Sequence, residues 1–236
     1  MKQLSGLDAA FLTLETHNST GHVGGLLILD PSESPAPLDL AALTRLMNQR
    51  ISRIPLLRQR LKYVPLGLDQ PYWIDDQNFD MEFHVREISL PAPGSDAQLT
   101  EQVSRLHARP LDRRRPLWEM YLISGLAGGR LAVYTKIHHA AIDGVSGAEL
   151  MTVLVDLTPE GEKPPVAVDF KPEPAPSDTT LLARAAASIA TRPVSAARIA
   201  AGMGRALPLV GSALSPYVGA LLGRGDRDGD VIKTAP

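Results

Sequence analysis

Two β-rich runs, residues 118–126 and 130–138, flank Ala127-Gly128-Gly129 in the middle of the chain. Glycine between two such runs is a hairpin signal, so this region predicts a pair of antiparallel strands. A helix is predicted to follow from Ser146 to about Leu157, because leucine and valine recur there at helical spacing. A hairpin that leads into a helix packs sheet against helix, which limits the chain to a mixed α/β fold.

The residues before this hairpin alternate in the same way. Their periodicity predicts strands over 22–29, 56–63 and 82–88, and helices over 40–53 and about 96–108. Asp39 is the expected N-cap of the first of these helices and Ser95 or Asp96 of the second. Pro55 is expected to end the first helix, because proline cannot continue the hydrogen-bond ladder.

Composition supports a folded core and excludes several classes of protein. Of the 236 residues 44% are hydrophobic and 21% are charged, with a mean hydropathy of −0.03, which excludes a mainly disordered chain. The net charge of −2 argues against an extended nucleic-acid-binding surface. The absence of cysteine excludes disulfides, zinc–thiolate sites and a cysteine nucleophile. With no secretory signal visible, we expect a cytoplasmic protein.

Charge and proline content predict four segments. Residues 1–158 have the mixed composition of a folded lobe, and proline recurs six times within residues 159–178, which predicts a linker. Residues 179–225 contain five arginines but no lysine and no acidic residue, and they predict an alanine- and arginine-rich helical segment. Residues 226–236 would begin a connection to a further lobe.

The helical segment has a basic amphipathic pattern. Apolar residues alternate there with Arg184, Arg192, Arg198 and Arg205, which fits docking on an anionic membrane surface or a lipid droplet. A helical hairpin that packs against another lobe is an equal alternative. The uncharged run over residues 206–223 is diluted by proline, glycine and serine, so no membrane-spanning helix is predicted.

The main chemical signal is the heptapeptide His138-His139-Ala140-Ala141-Ile142-Asp143-Gly144 at the end of the second hairpin strand. Neighbouring strand side chains point to opposite faces, so one histidine is available to a substrate while the other packs or orients. A tight turn at Gly144 would return Asp143 to the histidine pair. There its carboxylate could hold the backbone or fix an imidazole tautomer.

Three interpretations of this heptapeptide compete. A metal site needs three convergent ligands, and opposed histidines without a nearby glutamate or cysteine argue against it. A buried histidine pair beside a turn is the structural interpretation. The third is a neutral histidine that acts as general base on a hydroxyl or amine near pH 7. The residues alone slightly favour the general base and leave the buried pair open.

The heptapeptide resembles the active-site signature of the chloramphenicol acetyltransferase-like superfamily of CoA- or carrier-dependent acyltransferases. Three further motifs resemble the bacterial wax ester synthase/diacylglycerol acyltransferase family in order and spacing: Leu4-Ser5-Gly6-Leu7-Asp8-Ala9-Ala10-Phe11-Leu12, His22-Val23-Gly24-Gly25 and Arg115-Pro116-Leu117-Trp118. The resemblance covers residues 4 to about 157. It implies a chloramphenicol acetyltransferase-like lobe, with a mixed sheet flanked by helices, followed by a helical linker.

The resemblance also implies an activity. It implies acyl transfer from long-chain acyl-CoA, a co-substrate with no further cofactor or metal, to diacylglycerol or a fatty alcohol. His139 would be the general base, and His138 would support its position. Asp143 would hold the loop and Gly144 would permit the turn. A transferase for another hydroxyl or amine acceptor, or a non-catalytic lipid-surface module, stays an alternative.

The resemblance implies a protein of two similar lobes, with the active site in a tunnel between them. The sequence contains the first lobe and the linker, which implies that a C-terminal half, as a second chain or a missing segment, is needed for activity. An isolated first lobe is then expected to expose an apolar face at Val133, Ile137 and neighbouring strand positions.

Overall fold

The computed structural model describes residues 1–16, 19–34, 36–142 and 170–191. The chain divides into two compact units after Asp178. The elements of the first unit are, in order, β1 (Lys2–Gln3), α1 (Gly6–Leu14), β2 (His22–Leu29), α2 (Leu40–Arg50), β3 (Gln59–Lys62), β4 (Tyr72–Asp75), α3 (Met81–His84), β5 (Val85–Ser89), α4 (Asp96–Ala108), β6 (Trp118–Ser124), β7 (Leu131–His138) and α5 (His139–Ile142). A further helix spans Asp178–Thr191. The helix predicted over residues 146–157 lies outside the described ranges.

Four strands form the main sheet in the order β2-β7-β6-β5, and β1, β4 and β3 form a smaller sheet. β6 and β7 are the predicted antiparallel hairpin, with Gly128 and Gly129 at φ of 75° and 71° in its turn. Glycine adopts this left-handed region without a Cβ clash. β2 pairs antiparallel with β7, whereas β5 runs parallel to β6. The sheet is therefore mixed, and the predicted α/β class is confirmed.

Both predicted helix caps form. The Asp39 carboxylate accepts a hydrogen bond from the N–H of Ala42 at 2.7 Å, and Ser95 forms a reciprocal capping box with Gln98. The helix that starts after Asp39 is shorter than predicted. It ends at Arg50 because the next three residues tighten into a 3-10 turn.

Two predicted strands start later than expected. Pro55 opens a 3-10 turn over Pro55–Arg58, since its fixed φ suits the first position of a helical turn, and β3 therefore begins at Gln59. Asp80 caps the short helix α3 by accepting a hydrogen bond from the N–H of Glu82. β5 consequently begins only at Val85.

The two faces of the main sheet pack against different helices. Val133 and Ile137 of β7 belong to the same core cluster as residues of α1 and α2, such as Leu12 and Met47. The opposite face packs against α4. The expected exposure of Val133 and Ile137 is wrong, because these helices cover them and leave 4% and 8% of their surface exposed.

Exposed apolar side chains lie instead on β2, an edge strand of the main sheet, at Val23, Leu26 and Ile28.

The face that packs against α4 also buries charge. The Lys136 side chain is fully buried, and its Nζ donates to the carbonyls of Leu106 and Arg109 at 2.9 and 2.8 Å. These carbonyls lie at the C-terminal end of α4, where a cation is favoured, and the Leu106 carbonyl also accepts the N–H of the C-cap residue Arg109. Nζ also lies 3.4 Å from Oε2 of Glu119, which accepts a hydrogen bond from the Tyr121 hydroxyl. Lys136 therefore ties α4 to the centre of the sheet.

The core on the other face contains a neutral histidine. His84 is 1% exposed, its Nδ1 donates to the carbonyl of Trp118 at 2.7 Å, and its ring stacks on the Trp118 indole. Burial lowers the pKa of His84 from 6.5 to about 4. The folded chain therefore holds this imidazole uncharged at neutral pH.

We expect the free energy of unfolding to fall as the pH is lowered from about 6.5 toward 4. In this window the unfolded chain binds a proton at His84 that the folded chain does not, which costs up to roughly 3 kcal/mol of stability. Burial lowers the pKa of His22 and His138 as well, so their contributions have the same sign. Urea unfolding at pH 7 and pH 4.5 measures the loss. His84→Asn keeps a donor for the Trp118 carbonyl but does not titrate, so it should make the loss of stability between pH 7 and pH 4.5 smaller. An equal loss in the wild type and the variant would contradict the assignment to His84.

Candidate active site

The two motif histidines stand on either side of a strand-to-helix junction. β7 ends at His138 and α5 begins at His139, so their side chains diverge there rather than along one strand as predicted. His138 is 0% exposed, whereas His139 is half-buried and lines a cavity of about 270 Å³. Of the two imidazoles, only that of His139 is open to a small molecule.

His138 caps the helix that carries His139. Its Nδ1 accepts a hydrogen bond from the backbone N–H of Ala140 at 3.0 Å. The first N–H groups of a helix have no partner within it, and an acceptor side chain at the N-cap satisfies one of them. The N–H of His138 donates to the carbonyl of Leu117 at 2.9 Å, which fixes the end of β7 to the start of β6. Burial lowers the pKa of His138, which favours the neutral ring.

His139 is held by its backbone and by one aromatic ring. Its N–H donates to the carbonyl of Gly21 at 2.7 Å, and its imidazole stacks on Phe11 with ring centroids 4.0 Å apart. Nδ1 is buried and has no hydrogen-bond partner within the described part of the chain. Asp143 and Gly144 lie outside that part, so their roles stay predictions.

The Leu4-to-Leu12 motif forms most of α1 and its cap. The Ser5 hydroxyl accepts a hydrogen bond from the N–H of Asp8 at 3.1 Å and donates to its carboxylate at 2.7 Å. Ala9 and Leu12 are buried, as expected of a core-facing helix. Phe11 stays half-buried and reaches His139.

The His22-to-Gly25 motif makes room for the buried polar side chains. His22 Nε2 donates to the carbonyl of His107. A Cβ at Gly24 would lie 2.9 Å from Oη of Tyr134, closer than real Cβ contacts allow. Gly21, just before the motif, is also tightly packed, because its Cβ would lie 3.0 Å from Nε2 of His138.

The Arg115-to-Trp118 motif is a packing element at the start of β6. Trp118 Nε1 donates to the carbonyl of Leu57 at 2.7 Å, and Leu117 is buried beside it. The guanidinium of Arg115 lies over the Phe83 ring at 4.0 Å. Since the Leu117 carbonyl also binds the N–H of His138, the motif fixes the strand end that precedes His139.

Sequence reasoning missed two charged residues at this site, Glu15 and Arg113. Arg113 donates to the Glu15 carboxylate and to the carbonyl of Leu12. Oε2 of Glu15 lies 3.4 Å from Nε2 of His138, and Oε1 accepts a hydrogen bond from the N–H of Gly21. Burial alone raises the pKa of Glu15, but the hydrogen bond and charge of Arg113, with His138 and Gly21, outweigh burial and lower it. Glu15 is therefore a carboxylate at neutral pH.

The cavity in front of His139 combines an apolar and a polar wall. Phe11 and Leu14 of α1 form the apolar wall, and Ser19 and Thr20 are on the polar wall. Within the described ranges no three histidine, aspartate or glutamate side chains converge as metal ligands. The arrangement presents an imidazole to a ligand with an apolar part and a polar group.

A sequence model of the wax ester synthase/diacylglycerol acyltransferase catalytic domain matches residues 4–221. The chain belongs to the wax ester synthase/diacylglycerol acyltransferase family. It is 42% identical to the Mycobacterium tuberculosis protein named "Probable diacyglycerol O-acyltransferase tgs3", an alignment that covers 98% of this chain and 82% of that protein. It is 35% identical to tgs2, named in the same way, over 74% of this chain and 39% of that protein.

A solved member of the family has the same fold. The wax ester synthase/diacylglycerol acyltransferase from Marinobacter aquaeolei VT8 matches with a TM-score of 0.59 and 37% identity, over 72% of this chain and 41% of that chain. The lobe predicted from the motifs is therefore confirmed as the fold of this family. The chain spans less than half of this relative and of tgs2, and most of tgs3. No helix within the described ranges is long and apolar enough to cross a membrane.

Proposed function

We propose that this chain transfers the acyl group of a long-chain acyl-CoA to the hydroxyl of diacylglycerol or a fatty alcohol, giving triacylglycerol or a wax ester. The observation that carries the proposal is the placement of His139, whose half-buried imidazole lines a cavity at a junction that the family motif specifies. The apolar wall of Phe11 and Leu14 suits a lipid acceptor. The names of tgs3 and of the Marinobacter enzyme support these acceptors.

In this mechanism His139 is the general base. It takes the proton of the acceptor hydroxyl while that oxygen attacks the thioester carbonyl, and the C–S bond then breaks. The imidazolium returns the proton to the departing CoA thiolate. Because the acyl group passes directly to the acceptor oxygen, the mechanism needs no covalent acyl-enzyme and no cysteine nucleophile. His138 holds the start of the helix on which His139 stands. Asp143 would hold the following loop, and Gly144 would permit its turn.

The test is an assay of thiol release with matched acceptors. The chain, together with any polypeptide that copurifies with it, is incubated with a long-chain acyl-CoA and diacylglycerol, a fatty alcohol, a fatty amine or no acceptor, and lipid products are identified by mass spectrometry. We expect free thiol and ester product only with the two hydroxyl acceptors. Amide formation as the main reaction, or thiol release without any acceptor, would contradict O-acyl transfer.

We further propose that a C-terminal half, as a second chain or a further segment, completes the substrate tunnel. The support is that the chain spans 41% of the Marinobacter enzyme, so much of that enzyme lies outside the alignment. We expect little turnover by the chain alone and robust turnover together with a second polypeptide that copurifies with it. Full turnover by the chain purified free of other polypeptides would refute this proposal.

The segment 179–225 is proposed to bind the anionic surface of a membrane or lipid droplet. Replacing Arg184, Arg192, Arg198 and Arg205 with glutamine should weaken liposome binding by about 1 kcal/mol per charge near the surface. Cosedimentation with vesicles of anionic and of neutral lipid, at low and high salt, measures the change. The same four positions as lysine form the charge-preserving control. Unchanged binding of the glutamine variant at low salt would favour packing against another lobe.

A further inference from the structure

Glu15 is a buried carboxylate that the proposed mechanism does not use. It caps the C-terminus of α1, and its side chain is 8% exposed. The ion pair with Arg113 and the hydrogen bond from Gly21 hold it in place. Within the described part of the chain it also lies beside the imidazole of His138, with Oε2 and Nε2 separated by 3.4 Å.

The hydrogen bond at the other ring nitrogen defines the protonation of His138. Nδ1 accepts from the N–H of Ala140, and a nitrogen that accepts a hydrogen bond carries no proton. A neutral imidazole then carries its single proton on Nε2. That nitrogen is the one that faces the Glu15 carboxylate.

The charge of Glu15 favours this tautomer. A carboxylate has only acceptor atoms, so it stabilises an N–H and repels the lone pair of an unprotonated nitrogen. A proton on Nδ1 instead would point at the N–H of Ala140 and break the cap of α5. The lack of a Cβ at Gly21 keeps this side of the ring open, because a Cβ there would lie 3.0 Å from Nε2.

We propose that Glu15 is a positioning residue that selects the Nε2–H tautomer of His138, keeps Nδ1 as the N-cap acceptor of α5, and so sets the position of His139. The effect on catalysis rests on the proposed function. The tautomer itself is a property of the folded chain and needs no substrate.

The tautomer can be read by NMR of the chain labelled with ¹⁵N-histidine, with the His138 signals assigned by their loss in His138→Gln. In the wild type we expect the proton on Nε2 and a hydrogen-bonded acceptor at Nδ1. In Glu15→Gln the amide offers a donor to Nε2, and in Glu15→Ala the anion is gone, so both should populate the Nδ1–H tautomer. Glu101→Gln, which removes an exposed ion pair with Arg105, is the control that should leave the signals unchanged.

The activity readout follows from the same variants. Glu15→Gln should lower kcat about 10- to 100-fold at unchanged KM for acyl-CoA, since a small displacement of a catalytic group costs on this order. Unchanged His138 tautomers in both Glu15 variants, or a proton on Nδ1 in the wild type, would overturn the proposal. The expected tautomers without any acyl transfer, even together with a polypeptide that copurifies with the chain, would support the assignment of Glu15 and contradict the proposed function.

Discussion

Replacement of His139 with alanine should reduce acyl transfer by about 10²- to 10⁴-fold, the usual contribution of a positioned general base. The melting temperature should change little, because the side chain is half-buried and, among the described residues, its ring stacks on Phe11 alone. The backbone hydrogen bond to Gly21 is unaffected by this substitution. Thiol release and thermal unfolding, measured on the same preparation that is active in the substrate assay, separate the two effects.

His138→Ala is the matched comparison, one residue away. This substitution removes a fully buried ring and the cap of α5, and loss of a helix cap alone costs about 0.5–2 kcal/mol. We therefore expect lower stability together with a smaller loss of activity than for His139→Ala. Severe inactivation of a stable His138→Ala, beside near-normal turnover of His139→Ala, would show that the base is His138.

Local residues sufficed to predict much of the fold. The glycines between two β-rich runs predicted the β6–β7 hairpin, and Asp39 and Ser95 predicted two helix starts, because each feature acts within a few residues. The late starts of β3 and β5 were missed although their causes are also local. Pro55 and Asp80 both favour a short helical turn over the first residues of a run that otherwise alternates like a strand.

The candidate site was only partly predictable for a different reason. The heptapeptide indicated His138 and His139, but the ion pair of Glu15 with Arg113 joins residues 98 positions apart. No spacing rule connects such residues, since the sheet and α1 bring them together. The burial of Val133 and Ile137 was missed likewise, because β7 alternates toward both faces and only the packing of α1 and α2 decides which faces are covered.

The cap of α5 explains why two consecutive histidines can serve different roles. His138 ends a strand with its ring fully buried, and burial lowers its pKa. Its Nε2 lies 3.4 Å from the Glu15 carboxylate, and its Nδ1 accepts a hydrogen bond from the N–H of Ala140. His139 begins a helix, and its side chain lines the cavity. The change of secondary structure between the two residues therefore places one ring in the core and the other at the cavity, which suits the proposed roles of a positioning residue and a general base.

Lys136→Met should lower the free energy of unfolding by about 3–5 kcal/mol, the usual cost of removing one partner of a buried ion pair. The substitution removes the Nζ donor from the carbonyls of Leu106 and Arg109, although the Leu106 carbonyl keeps the N–H of Arg109. It also removes the nearest ammonium from Glu119, whose side chain is 10% exposed. Urea unfolding at pH 7, followed by tryptophan fluorescence, measures the loss. Lys62→Met is the matched control, because Lys62 pairs with a largely exposed Asp178 and such pairs contribute at most about 1 kcal/mol.

A double variant identifies the source of the loss. If the charge of Glu119, left with Arg86 as its cation, dominates the loss, adding Glu119→Gln to Lys136→Met should restore part of the stability. A neutral amide next to methionine costs less than a buried carboxylate that has lost one of its cations. If the carbonyls of α4 dominate, the double variant should be no more stable than Lys136→Met. A loss for Lys136→Met as small as for Lys62→Met would contradict the assignment of Lys136 as the tie between α4 and the strand that ends at His138.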